Sequence, residues 1–86
     1  MAAYQVLLSK AARKQLSALS PFIHNKVIED ITLLSETPRP AGCKKLKGQK
    51  DAWRIRIGDY RVIYEIADKQ LRILIIAIGH RKDIYE

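Results

Sequence analysis

An 86-residue chain has the size of one domain, and this one carries a formal net charge of +7. Its apolar share of 48% is enough for a packed core, and its 29% of charged residues argues against a membrane protein and against a fibrous one. The longest apolar stretch, residues 73–78, is far shorter than the roughly 20 residues that cross a bilayer. We therefore expect residues 1–86 to form a single soluble domain.

Two features bear on the compartment. The first nine residues lack the basic segment, long apolar stretch and cleavage site of a secretory signal. Cys43 is the only cysteine, so no internal disulfide can form, as is usual in a reducing compartment. Both features predict a cytoplasmic protein.

The positive charge is concentrated in the second half of the chain. Residues 1–38 hold four Lys/Arg and three Asp/Glu, whereas residues 39–86 hold twelve and six. A positive potential of this kind attracts RNA or an acidic protein, although excess charge also serves solubility alone. The cations of residues 44–61 are Lys44, Lys45, Lys47, Lys50, Arg54, Arg56 and Arg61.

The first half of the chain predicts a strand followed by a helical hairpin. Residues 4–8 are a short apolar run that ends at Ser9, a favourable N-cap residue. Ser20 and Pro21 then separate two helices, since proline suits the first helical position. The apolar stripe of the first helix is Ala12, Leu16 and Leu19, and that of the second is Ile23, Val27, Ile31 and Leu34.

The period changes from 3.6 to 2 in the second half, which predicts a meander of strands. In residues 53–57 every second residue is apolar, so Arg54 and Arg56 share one face. Turns at residues 58–59 and 67–70 frame a second strand, and residues 71–78 are apolar enough for a central strand covered on both faces. The predicted fold class is α+β, with the N-terminal strand and helical hairpin packed on one face of an antiparallel sheet of about four strands.

Metal and nucleotide chemistry have little support. His24, His80 and Cys43 are far apart in the sequence, and residues 44–50 lack the spacing of a phosphate-binding P-loop. Cys43 has no base and orienting group around it and is best read as a small loop residue. We therefore expect no metal and no cofactor.

The residues that could carry chemistry lie in the meander and at its exit. RNA is cleaved without metal when its 2′-hydroxyl attacks the adjacent phosphate, which needs a base, an acid and cations near the phosphoryl oxygens. Arg54, Arg56 and Arg61 supply cations. His80 titrates near neutral pH, and Tyr85 could act as base, as acid or as a stacking platform.

Each of these residues also has a purely structural interpretation. The two arginines of the first meander strand could be the solvated face of an amphipathic strand. Arg61 could pair with Asp59 or Glu65, His80 could be a surface residue, and Tyr85 could pack its ring on the sheet. From the residues alone, a ribonuclease and a passive binding module are equally supported.

Four segments together resemble a known family over nearly the whole chain. They are KKLKG at residues 44–48, WRIR at 53–56, GDYRVIYE at 58–65 and GHRKDIY at 79–85. This text is similar to the RelE branch of the RelE/ParE superfamily of prokaryotic toxins, which are encoded with an antitoxin. The resemblance implies a RelE-like fold of the microbial ribonuclease type.

The resemblance also implies a function: a ribosome-dependent, metal-independent mRNA endonuclease that inhibits translation and is neutralised by a cognate antitoxin protein. By position it assigns catalytic roles to Arg61, His80, Arg81 and Tyr85. It assigns RNA binding to Lys44, Lys45, Lys47, Arg54 and Arg56.

Two alternatives stay open. ParE-like members share the fold but inhibit DNA gyrase without catalysis, and an inactive module that binds only RNA or antitoxin would have the same charge. The combination of basic residues with a histidine and a tail tyrosine favours the RelE branch. The sequence ends one residue after Tyr85, so the further C-terminal helix of some relatives is not expected.

Overall fold

The computed structural model of the chain describes residues 3–47 and 51–80, which leaves Arg81 and Tyr85 outside the described residues. In chain order the elements are β1 (Gln5–Leu8), α1 (Lys10–Ser17), α2 (Pro21–Leu34), β2 (Lys44–Lys45), β3 (Ala52–Ile57), β4 (Tyr60–Ala67), a 3-10 turn (Asp68–Gln70) and β5 (Arg72–His80). The strands form one sheet in the order β1-β5-β4-β3-β2.

The helical hairpin begins and breaks where the sequence predicts. The Ser9 side chain caps α1, because its Oγ accepts a hydrogen bond from the Ala12 N–H at 3.0 Å. Pro21 occupies the start of α2, where its missing N–H costs nothing. The buried positions of both helices fall on the predicted stripes; they are Ala12 and Leu16 in α1, and Val27, Ile31 and Leu34 in α2.

The fold class is confirmed, and the sheet has one strand more than expected. It has five strands, and β1 pairs with β5 in parallel while the other neighbours are antiparallel. The added strand, β2, is only two residues long, too short to show an alternating pattern in the sequence. The partner of β1 lies at the far end of the chain, so no local signal indicates the pairing or its direction.

Helix α1 covers the edge of β5 that β1 leaves open. Past the end of β1, the Ser9 N–H donates to the Ile75 carbonyl at 2.9 Å and the Ser9 Oγ donates to the Ile76 carbonyl at 2.9 Å. Further along, the Ile78 N–H donates to the Gln15 Oε1 at 2.7 Å. These bonds tie β5 to α1 up to two residues before His80.

The two faces of the sheet are covered very differently. The helices bury the main core on one face, which includes Ile55, Val62, Tyr64 and Ile75. A second, smaller apolar cluster of Leu46, Ala52 and Ile63 lies on the opposite face, which we call the open face. β5 lies inside the sheet, as expected of a central strand, but its open face is only partly covered, since Leu74 is 37% exposed.

The linker between α2 and β2 is fixed by side chains from distant parts of the chain. Tyr64 is fully buried and its hydroxyl donates to the Pro38 carbonyl at 2.8 Å; burial raises the pKa of this hydroxyl. Arg39 forms an ion pair with Asp68 at 2.9 Å, and its guanidinium lies 5.0 Å from the centroid of the Trp53 ring. The hydrogen bond from Arg39, aided by one from the Tyr4 hydroxyl at 2.7 Å, lowers the pKa of the Asp68 carboxyl. These contacts of the linker therefore fix the position of β2 beside β3.

We expect Tyr64→Phe to lower the free energy of unfolding by about 1–2 kcal/mol, because it leaves the Pro38 carbonyl without its partly buried donor. Tyr4→Phe is the matched control: it removes the same atom from an exposed hydrogen bond and should lower the free energy of unfolding much less. Urea unfolding followed by Trp53 fluorescence measures both. Equal losses in the two variants would contradict the anchoring role of Tyr64.

Candidate nucleic-acid interface

The alternation along β3 places two arginines on the open face. Ile55 and Ile57 belong to the core under the helices, whereas Ala52 belongs to the small cluster on the other side. Because successive side chains of a strand point to opposite faces, Arg54 and Arg56 lie on the open face with Ala52. The predicted separation of the arginines from the apolar residues of this strand is confirmed.

The strand register brings two further cations beside them. Lys44 of β2 pairs with Arg54, and Arg61 of β4 pairs with Arg56. Val62 and Tyr64 of β4 are buried in the helix-side core. Because side chains alternate along a strand, Arg61 lies on the open face. Directly opposed residues have their Cβ atoms about 4.5–5.5 Å apart. Four cations on three adjacent strands thus form one group, which we call the basic patch: Lys44, Arg54, Arg56 and Arg61.

The members of the basic patch differ in exposure. Arg54 is only 4% exposed and pairs in register with Ile63 of the small apolar cluster, whereas Arg56 is exposed and Arg61 is half-buried. The solvated-face interpretation therefore describes Arg56 but does not describe Arg54. A buried guanidinium is held in a narrow range of directions, which is the property that a binding site requires.

The basic patch has a boundary on the sheet. Glu65 follows Ile63 on the open face of β4, and its register partners are Ala52 and Leu74. On β5, Gly79 lies opposite Arg61 and Ala77 lies opposite Ile63, so small residues flank the patch there. The basic patch thus occupies one end of the open face. The other end carries Glu65 and Leu74 together with Arg72, which alternates onto the same face of β5.

Two of the RNA-binding lysines predicted from the sequence lie apart from the patch. Lys45 pairs with Trp53, a residue that packs against the helix-side core, so Lys45 lies on the helix side of the edge strand β2. Lys47 is exposed in the turn that follows Leu46. The structure therefore brings Lys44 to Arg54 and Arg56, and it places Lys45 on the other side of the same strand.

His80 also lies on the helix side of the sheet. It pairs with Tyr60, and the two rings meet edge to face with centroids 5.5 Å apart. Both residues alternate with Gly79 and Arg61 of the open face, so the structure does not bring the His80 ring onto the face that carries the patch. The remaining two predicted catalytic residues, Arg81 and Tyr85, lie outside the described residues.

Sequence reasoning missed two residues that position this region. Gln15 accepts the hydrogen bond from Ile78, a partner 63 residues away, and nothing in the local sequence marks it. Arg39 holds Asp68 and covers Trp53, next to the start of β3. The flanking prolines of Arg39 indicate a stiff linker, but they do not indicate these contacts.

The arrangement suits a polyanion. Arginine stays charged at any working pH, and its planar fork matches phosphate oxygens. Within residues 3–47 and 51–80, no three His, Cys, Asp or Glu side chains come together as a metal site requires. No helix in that same part of the chain is long and apolar enough to cross a membrane.

Comparisons with known proteins agree with this fold. A family model described as the ParE toxin of the type II toxin–antitoxin system parDE matches residues 6–85. Toxin RelG of Mycobacterium tuberculosis is 32% identical over 83 residues, covering 95% of each chain. The mRNA interferase toxin RelE of Escherichia coli strain K12 is 24% identical over 82 residues, covering 93% of this chain and 85% of that protein.

A solved structure shows the same architecture. The archaeal RelE–RelB complex from Pyrococcus horikoshii contains a chain that superposes with a TM-score of 0.83 at 31% identity, covering 95% of this chain and 99% of that one. The family model spans nearly the whole sequence, and a relative above 30% identity covers almost all of it. This chain therefore belongs to the RelE/ParE superfamily of toxins of type II toxin–antitoxin systems.

Proposed function

We propose that this chain is a ribosome-dependent mRNA endonuclease of the RelE type, which inhibits translation and is neutralised by a cognate antitoxin. The Escherichia coli relative is named an mRNA interferase, and the Pyrococcus horikoshii relative is in complex with RelB, which supports both halves of the proposal. The observation that carries the RNA-binding part is the opposition of like charges within the basic patch.

Like charges in directly opposed positions of a sheet destabilise it by up to about 1 kcal/mol for each pair. The patch contains two such pairs, Lys44 with Arg54 and Arg56 with Arg61. A surface needed only for solubility has no reason to place its cations opposite one another. A bound phosphate backbone removes the repulsion and converts the same positions into favourable contacts.

The chemistry follows from the patch and from the residues that the family resemblance assigns. The message lies on the open face, with Arg56 and Arg61 on its phosphate oxygens. A base removes the proton of the 2′-hydroxyl, whose oxygen forms a bond to the adjacent phosphorus. The bond from phosphorus to the 5′ oxygen breaks, and an acid protonates that oxygen. The products are a 2′,3′-cyclic phosphate and a 5′-hydroxyl, and Arg61 offsets the charge that builds up on the phosphoryl oxygens.

The proton carrier is one of two residues, His80 or Tyr85. The contact between His80 and Tyr60 on the helix side favours Tyr85 for direct transfer, with His80 in a supporting position behind the strand. Arg81 would then add a second fixed charge to that of Arg61, as the resemblance implies. These assignments rest on the resemblance, since Arg81 and Tyr85 lie outside the described residues.

The antitoxin is expected to cover the open face. Acidic side chains would neutralise the basic patch, and apolar ones would cover Leu7 and Leu74, which pair in register on that face and are 39% and 37% exposed. A segment with both kinds of side chain would therefore bind this face and exclude RNA from it. Exclusion of RNA from the open face would explain how the antitoxin neutralises the toxin.

A second candidate function is inhibition of DNA gyrase, because the matching family model is described as a ParE toxin. A non-catalytic binding module is the third. A gyrase supercoiling assay identifies the second candidate, and message cleavage identifies the first. A chain that is silent in both assays but binds antitoxin would be the third.

In a reaction of purified ribosomes with a defined message, we expect cleavage with ribosomes and none without them. Arg61→Ala should lower the single-turnover rate on saturating ribosomes by about 10²- to 10³-fold, more than it weakens binding, because it removes one preorganised charge. Lys69→Ala, an exposed cation of the 3-10 turn, is the control and should keep the full rate. Full-rate cleavage by Arg61→Ala would remove its catalytic role.

The same assay separates the proton carriers. Tyr85→Phe keeps the aromatic ring and removes only the hydroxyl, and His80→Gln removes the titrating ring. If one of these two variants loses most of its cleavage rate while the other keeps a near-normal rate, the residue changed in the first variant is the proton carrier. A lower cleavage rate in Arg81→Ala would add Arg81 to the cations that stabilise the transition state. Full activity in all these variants would contradict the catalytic site as a whole.

The two lysines of β2 provide a matched test of the open face. Lys44→Gln should reduce the slope of log binding constant against log salt for single-stranded RNA by roughly 0.7, the loss of one phosphate contact. Lys45→Gln removes the same charge from the neighbouring residue on the helix side and should change the slope much less. Equal changes would show that general charge, rather than the open face, binds RNA.

The repulsion within the patch predicts a gain in stability on neutralisation. Arg56→Gln removes the charge opposite Arg61 and should raise the free energy of unfolding by about 0.2–1 kcal/mol at low salt, while weakening RNA binding. The gain should shrink at high salt, where exposed charges are screened. Urea unfolding at two salt concentrations measures it, with Lys69→Gln as control. A loss of stability in Arg56→Gln would show that the opposed pair is not repulsive.

A further inference from the structure

A second basic surface lies on α1, on the helix side of the sheet. The cations Lys10, Arg13 and Lys14 are exposed and recur at positions i, i+3 and i+4, which share one side of a helix. The opposite side buries Ala12 and Leu16 against the core. Three of the four Lys/Arg in residues 1–38 are therefore gathered within a helix of eight residues.

Lys10 lowers the intrinsic stability of α1, whereas Lys14, in the last turn, is favourably placed at the negative end of the helix dipole. The first turn of α1 contains no acidic residue, although the positive end of the helix dipole favours one, and Lys10 stands there instead. Like charges at i and i+4 cost a further few tenths of a kcal/mol. Among the described residues, none of the three lies within 4 Å of an acidic group, whereas Lys26 of α2 pairs with Asp30 at 3.7 Å.

The chemistry of this surface favours RNA over a protein partner. Within residues 10–18 the only exposed apolar residues are Ala11 and Ala18, so α1 itself offers no large side chain to anchor a protein interface. The cores of such interfaces are also depleted in lysine. Lysine and arginine without competing acids are suited to neutralising phosphates. The surface also lies on the other side of the sheet from the basic patch, so one RNA strand on the open face does not cover it.

We propose that the outer side of α1, through Lys10, Arg13 and Lys14, binds the phosphate backbone of structured ribosomal RNA while the open face holds the strand to be cut. This inference rests on the proposed function, since it gives that function its dependence on the ribosome. Two separate contacts raise the effective concentration of the second once the first has formed. A free message engages one surface, and a message within the ribosome allows both to be engaged.

The test compares two double variants that each remove two exposed cations. Lys10→Gln/Lys14→Gln changes α1, and Lys26→Gln/Lys69→Gln removes the same charge elsewhere. For binding to purified ribosomes, the α1 variant should lower the log–log salt slope by roughly 1.4–1.8, the loss of two phosphate contacts. The control variant should leave the slope unchanged, and neither variant should alter binding to a short single-stranded oligonucleotide. In message cleavage, the α1 variant should raise the half-saturating ribosome concentration and keep the rate at saturation.

Three results would overturn the α1 surface. The salt slope for ribosome binding could be unchanged in the α1 variant, or the control variant could lower that slope by the same amount. The α1 variant could also lower the salt slope for oligonucleotide binding equally, which would indicate that the total charge of the protein, and not the α1 surface, determines binding. A variant that keeps its ribosome slope but loses antitoxin affinity would assign α1 to the protein partner. If the wild-type chain binds ribosomes without cleaving the message, the endonuclease proposal fails. The comparison of salt slopes for ribosome binding would still test the α1 surface.

Discussion

The register between β3 and β4 is the constraint on which the candidate site depends. Ile55 pairs with Val62, and both side chains are buried under the helices. A slip of one residue would turn these apolar side chains to solvent and carry Arg56 or Arg61 into the core, at a cost of several kcal/mol. The hydrophobic core therefore fixes the opposition of Arg56 and Arg61. Site and core are encoded by alternate residues of the same strands.

Residues outside the candidate interface fix the positions of the strands at its two sides. On one side, the linker bonds of Pro38 and Arg39 set the entry of the chain into β2, and hence the place of Lys44. On the other, Gln15 fixes β5 two residues before His80. A binding or catalytic group must be held within a fraction of an ångström of its productive position, and such supporting bonds supply that precision. Variants of these residues are therefore expected to act on the site through its geometry.

Much of this architecture could be predicted from the sequence, and the remainder has physical reasons for being hidden. The alternation of residues 53–57 gave the shared face of Arg54 and Arg56, and Ser9, Ser20 and Pro21 gave the helix boundaries. Side-chain direction on β2 could not be predicted, because two lysines carry no period. The burial of Arg54 depends on the apolar cluster beside it, and the edge-to-face contact of His80 depends on a pairing with Tyr60 across a turn. Both features depend on the pairing register of the strands, which a single sequence specifies only through its apolar residues.

The different exposures of the cations imply different roles in one reaction. Charges at the surface, such as Arg56 and the lysines of α1, act over a distance that salt shortens, which suits them to the encounter and affinity steps of the proposed reaction. Arg54 is almost fully buried and Arg61 is half-buried, and a charge held in a less polar environment acts more strongly on a nearby phosphate without reorganising. Exposed cations alone would bind many RNAs and activate none of them. In the proposed reaction, the buried and half-buried arginines are the members suited to distinguish a transition state from a bound strand, and that distinction separates an endonuclease from an RNA-binding module built on the same sheet.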